Sequence, residues 1–144
     1  MISKKLLVTG TGVIKFMYAS VFEDPGHGPT GNGSFWVKVY DNTGTPILNK
    51  VYLEPTSLSP LDKIVANTAN PFFQTKPGSI VYREWTCAKI DLSTYVGQTV
   101  SVALVNTDCS GGAHFGYRYI DNWCGNCEGA STGSININPI ANPC

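Results

Sequence analysis

Apolar and polar residues alternate with a period of two along several short stretches, and glycine, proline, asparagine and aspartate separate those stretches. Such a period sends successive side chains to opposite faces of a strand. The clearest case is Phe35–Tyr40, where Phe35, Val37 and Val39 share one face and Trp36, Lys38 and Tyr40 the other. Lys4–Val8 and Val13–Phe22 are the first two predicted strands, joined by Thr9-Gly10-Thr11-Gly12 as a hairpin turn. In the second, the contrast fades after Lys15, as expected for a strand covered on both faces. A Gly- and Pro-rich loop runs from Asp24 to Gly33, and Asp41-Asn42-Thr43-Gly44 turns the third strand toward a partner around Ile47–Leu53.

From Glu54 to Ser79, prolines at Pro55, Pro60, Pro71 and Pro77 deny a continuous ladder, so this stretch is predicted to be a long crossover with one short strand near Ile64. Strand pattern returns at Ile80–Ile90, with Val81, Arg83, Trp85, Cys87 and Lys89 in one row. It continues at Thr99–Asn106, with Val100, Val102 and Leu104 on one face, and ends at His114–Trp123. Between the first two of these lies a corner of one helical turn. There Ser93 is placed to cap free amides, Leu92 and Tyr95 to face inward, and Gly97 to take a positive φ. About eight strands with almost no helix imply an all-β fold, an antiparallel β-sandwich of jelly-roll type. From Gly125 onward the core pattern stops; residues 1–128 are assigned to the sandwich and 129–144 to a linker or the start of a following module.

Composition narrows the function classes. Ten basic and ten acidic residues cancel, which removes the electrostatic case for nucleic acid. No stretch approaches the ~20 apolar residues of a membrane span, so no membrane insertion is expected. The first residues lack the apolar core of a signal peptide, so an export signal is expected outside this segment. Five cysteines suit an oxidising compartment. The favoured bridge joins Cys109 to Cys124, which flank one hairpin, and the odd cysteine suggests a partner beyond the chain ends. Zinc at Cys124 and Cys127 is the competing reading, without a second pair at comparable spacing.

Candidate chemistry gathers around the two histidines, His27 and His114. With Asp24 and Asp108 they form a predicted polar loop cluster, and three readings of it stay open. The side chains tie two irregular loops together through backbone hydrogen bonds. Alternatively, Glu23, Asp24 and Asp121 bind Ca²⁺, which prefers hard oxygen ligands. In the third reading two imidazoles and a carboxylate hold a transition metal. Neither G-x-S-x-G nor H-E-x-x-H occurs, and glutamate is scarce, so no catalytic residue is assigned. Phe115, Tyr117 and Tyr119 share one face of the last strand. Core packing is the commoner use of such a row, with Arg118 then pointing outward; a sugar-stacking platform is the other. Tyr117, Arg118, Tyr119 and Trp123 are the candidate ligand contacts.

Four segments carry a family resemblance: E-D-P-G-H at Glu23–His27, F-W-V-K-V-Y-D-N-T-G at Phe35–Gly44, the D-L-S-T-Y-V-G-Q corner at Asp91–Gln98, and D-C-S-G-G-A-H-F-G-Y-R-Y-I-D at Asp108–Asp121. Together they resemble secreted surface modules of gliding bacteria, the gliding-motility-associated and adhesin-like type, akin in style to cleaved-adhesin, MAM-like and carbohydrate-binding jelly rolls. The chain departs from that pattern at Ala113, where such modules tend to carry a second glycine. The resemblance implies a Ca²⁺-tolerant sandwich displayed at the cell surface, whose leading N-terminal strand is missing from this segment. It implies a non-catalytic role in adhesion or carbohydrate binding, with a glycan or surface polymer and neighbouring domains of the same polypeptide as partners. A structural spacer is the alternative, and a hydrolase fragment the remote one.

Overall fold

The computed structural model describes residues 1–54 and 57–123. Cys124, Cys127 and the segment 129–144, with the module boundary expected there, lie outside the described residues. The described residues form nine strands: β1 (Ile2–Leu7), β2 (Val13–Glu23), β3 (Ser34–Tyr40), β4 (Val51–Tyr52), β5 (Lys63–Val65), β6 (Gln74–Lys76), β7 (Ile80–Asp91), β8 (Thr99–Thr107) and β9 (Gly116–Asp121). They make two antiparallel sheets, one of four strands ordered β1-β8-β3-β5 and one of five ordered β4-β7-β2-β9, with β6 on the same edge of β7 as β4. The expected β-sandwich is therefore present. Among the described residues no helix is long and apolar enough to cross a membrane.

The sheets close on a seam of large side chains. Phe16, Tyr18 and Phe22 of β2 and Val81, Ala88 and Ile90 of β7 face Phe35, Val37 and Val39 of β3 and Val100 and Val102 of β8. Tyr18 spans the interface: its ring lies 5.7 Å from that of Phe35, and its hydroxyl donates to the Leu53 carbonyl at 2.9 Å. Burial pushes the Tyr18 pKa up, so the phenol stays a donor.

Consecutive strands mostly change sheets, and this corrects the local pairings expected from the turns. Thr9–Gly12 does not close a hairpin, because β1 pairs with β8 and β2 with β7 and β9. The Asp41–Gly44 turn gives only one bridge, Tyr40 to Pro46, before the chain crosses to place β4 on β7. β7 also departs from its expected single row. A bulge opposite Ala19 shifts the register, so Val81 and Arg83 share the inner face with Thr86, Ala88 and Ile90, while Trp85, Cys87 and Lys89 turn outward.

The corner after β7 folds as expected, with one difference. Ser93–Tyr95 form a single 3-10 turn, Leu92 is fully buried, and Gly97 has φ +83°. Ser93 does not cap it; the Asp91 carboxylate accepts both the Ser93 amide and the Ser93 hydroxyl, at 3.2 and 2.8 Å. The corner rests on the first turn through the Leu92 amide and the Gly12 carbonyl, 2.8 Å apart. A β-carbon at Gly12 would stand 2.6 Å from Ser93 Cα, whereas Gly10, also at positive φ, faces open space.

That contrast separates backbone strain from collision. Gly10→Ala is expected to cost roughly 1–2 kcal/mol for the left-handed backbone alone. Gly12→Ala is expected to cost at least about 1 kcal/mol more, because the corner must move. Urea unfolding midpoints of the two variants measure the difference, and equal losses would mean that the corner yields freely.

Candidate functional site

β2 delivers the chain into loop 24–33 at one end of the sandwich, and a buried polar pair fixes that loop. Asp24 is 8% exposed. Its carboxylate accepts the Gly26 amide at 3.0 Å, the Asn32 side-chain amide at 2.7 Å and the Thr68 amide at 2.6 Å. Burial acts to raise its pKa, but the bonds from Thr68, Gly26 and Asn32 together outweigh burial and hold the carboxyl below its ordinary range. Asn32 also donates to the Ala66 carbonyl at 2.7 Å and accepts the His27 backbone amide at 3.0 Å. The position of His27 is thus set through Asn32 by a carboxylate that is itself held by three hydrogen bonds.

Loop 108–115, between β8 and β9, docks against the first loop. The Ser110 amide donates to the Gly31 carbonyl at 2.9 Å. Gly31 has no room for a side chain, since a β-carbon there would lie 2.7 Å from the His27 Cβ. The docking brings His27, Cys109 and His114 together, with one ligand-type atom from each within 4.8 Å of the others. Cys109 Sγ lies 3.0 Å from His114 Nδ1, and the two imidazole rings meet edge to face with centroids 5.4 Å apart. The hydrogen bond with His114, helped by the Ala113, His114 and Gly111 amides, draws the Cys109 thiol down to about 6 against the opposing effect of desolvation. The same contact raises the His114 pKa. This is a thiol sulfur in hydrogen-bond contact with one imidazole, with a second imidazole beside it.

Several sequence expectations are settled by this geometry. His27 and His114 do meet, and Asp24 does tie the loop. Asp108 is exposed and bonds only the neighbouring Cys109 amide, at 2.8 Å. Cys109 carries a free thiol, so the expected bridge from Cys109 to Cys124 is not formed. The side chain that stands with the two imidazoles is thus a thiol, where the sequence reading placed a carboxylate. The Glu23, Asp24 and Asp121 set does not assemble: Asp121 pairs with Met17, six residues from Glu23 along β2 and so roughly 20 Å away. The spacing of Cys109 and His114 within D-C-S-G-G-A-H was the available signal for the triad, and assigning Cys109 to a disulfide hid it.

The last strand presents a second surface. Tyr117 and Tyr119 are 53% and 48% exposed, on the outer face of the five-stranded sheet. Phe115 stacks on Tyr117 with centroids 5.4 Å apart. The expectation that this row packs into the core is corrected, and Arg118 takes the interior instead. Its guanidinium lies 3.3 Å from the Phe22 ring centroid, and its Nε and Nη2 are buried without hydrogen-bond partners. Burial pushes the Arg118 pKa down. Trp123 packs on Phe16 at 5.1 Å, so it belongs to the core edge and not to the exposed row. Val21, between Tyr117 on β9 and Tyr82 on β7, and Ala19, beside Tyr119, are buried at the floor of this face.

One cleft is lined by Asp24, Pro29, Lys63, Asn67, Thr68 and Phe72 among others, and it does not include Cys109 or His114.

Asp24→Ala leaves the Asn32 and Thr68 donors without their acceptor and is expected to cost roughly 2–3 kcal/mol. Because the folded-state carboxyl is held low, its contribution is full above the unfolded-state value of ~3.9 and is lost as pH falls through the folded value. Urea unfolding of the wild type and Asp24→Ala therefore shows a gap at neutral pH that closes below about pH 4. A gap that persists in strong acid would assign the loss to packing.

No protein-family model, curated protein or solved structure matches the chain.

Proposed function

We propose that the protein is a non-catalytic binding module of a secreted or cell-surface protein, and that it holds a glycan or similar surface polymer on the outer face of the five-stranded sheet. The observation that carries this reading is the exposure of Tyr117 and Tyr119 side by side on β9. Exposed large aromatic side chains on a strand are informative because burial is their ordinary fate. Tyrosine offers an apolar ring for the C–H face of a sugar and a hydroxyl for its polar edge. The two rings stand about 7 Å apart along the strand. Across the Val21 floor, the Tyr82 hydroxyl donates to Gln74 at 2.6 Å, and Lys76 lies 5.8 Å from the Tyr82 ring. Aromatic rings with neighbouring hydroxyl and amide groups suit a neutral hydroxyl-rich polymer better than a polyanion, consistent with the balanced charge. The segments that resemble surface modules support display outside the cell.

Affinity electrophoresis through gels containing a panel of soluble polysaccharides tests this reading. The wild type is expected to be retarded by at least one polymer. Tyr117→Ala and Tyr119→Ala should each weaken that interaction about five- to tenfold, near 1 kcal/mol of stacking. Tyr→Phe at either position should keep most of it. Free migration of the wild type through every polymer would replace this reading with that of a structural spacer.

A further inference from the structure

The triad at the loop end stands apart from the aromatic face and from the proposed polymer binding. We propose that His27, Cys109 and His114 form a binding site for a thiophilic transition-metal ion of the Zn²⁺ type, with one coordination position left open.

The donor set is the first argument. One thiolate sulfur and two imidazole nitrogens are the borderline and soft donors that Zn²⁺ takes, and hard ions such as Ca²⁺ avoid them. The neighbouring carboxylate of Asp24 already accepts three hydrogen bonds, two from its own loop and one from Thr68, and Asp108 accepts the Cys109 backbone amide. The group of ligand-type atoms within 4.8 Å of one another is made by His27, Cys109 and His114, and neither of these carboxylates belongs to it.

Distances are the second argument. With Zn–S near 2.3 Å and Zn–N near 2.0–2.1 Å, tetrahedral coordination places sulfur and nitrogen roughly 3.5 Å apart. Cys109 Sγ and His114 Nδ1 stand 3.0 Å apart, so they need to open by about 0.5 Å. His27 reaches the others within 4.8 Å, from the exposed side. Three protein ligands leave a fourth place for water or an incoming donor.

The third argument is what the His27 ring does not do. If the cluster only tied the loops together, the imidazole would be expected to bond loop backbone. The tie is made instead by the His27 backbone amide on Asn32 and by the Ser110 amide on Gly31. Among the described residues the His27 ring makes no hydrogen bond; it meets the His114 ring edge to face and lies beside Gly111. The loops are thus locked by other groups, and the ring is presented ready-made, as a preorganised ligand requires. Binding is simple ligand exchange: the three protein donors displace water from the hydrated ion, and any thiol proton leaves to solvent.

Freshly reduced protein titrated with Co²⁺ reports the site directly. One equivalent is expected to bind, with a sulfur-to-cobalt charge-transfer band and the intense visible bands of tetrahedral Co²⁺, both abolished by an equivalent of Zn²⁺. Cys109→Ser should lose the charge-transfer band. His27→Ala, whose side chain is exposed and whose fold is expected to hold, should weaken Zn²⁺ binding at least tenfold in equilibrium dialysis. Zn²⁺ should also slow alkylation of Cys109 by iodoacetamide in the wild type and not in His27→Ala. A wild type without the sulfur band, equal Zn²⁺ affinity in wild type and His27→Ala, or alkylation of Cys109 indifferent to Zn²⁺ would each overturn the proposal.

Discussion

The structure depends on β2 being buried on both faces. Its inner face supplies Phe16, Tyr18 and Phe22 to the seam between the sheets, while Met17, Ala19 and Val21 are buried on the outer face. A strand in that position must have a neighbour on each edge, and β7 and β9 fill those places. The bulge in the β2–β7 pair reconciles two needs. It keeps Val81 and Ala88 inward at either end of β7 and turns Trp85 toward the outer face. Both candidate surfaces follow from this strand: its outer side chains floor the aromatic face, and its last residue leads into the loop that holds His27.

The elements were legible in the sequence because the alternation of side chains is a local property. β3, β7 and β8 are found within a residue or two of where their period places them, and the short β5 at Ile64 survives among prolines. Pairing was less legible. A turn such as Thr9–Gly12 signals a reversal of direction, but whether the next strand joins the same sheet depends on which apolar faces need covering. Here the crossing between sheets buries Ile14 and Phe16 against the opposite layer, and that gain overrides local hairpin geometry. β6, with three exposed residues, gave no apolar signal at all.

The site was half legible. Proximity of the two histidines followed from their place in loops at strand ends, and the structuring role of Asp24 followed from its position at the start of a turn-rich segment. The sulfur was missed because cysteine counting treats each thiol as half of a bridge, whereas Cys109 finds an imidazole 3.0 Å away. The facing of β9 was missed for a different reason. Arg118 and Ile120 form as plausible an outer row as Tyr117 and Tyr119 form an inner one, and a one-residue shift exchanges them. The Phe22 and Phe35 rings receive the guanidinium at 3.3 and 5.3 Å, a cation–aromatic arrangement that no period of two encodes.

β1 carries one further consequence. It closes the four-stranded sheet on β8 with a complete register from Ile2 to Leu7, and its outward backbone rim has no partner among the described residues. Such a rim is a template for edge-to-edge pairing with another copy of the chain. Lys4 and Lys5 sit at the middle of it, so two rims brought together antiparallel would set ammonium groups against each other. Like-charge repulsion therefore opposes pairing of two copies at this edge, and salt screens that repulsion.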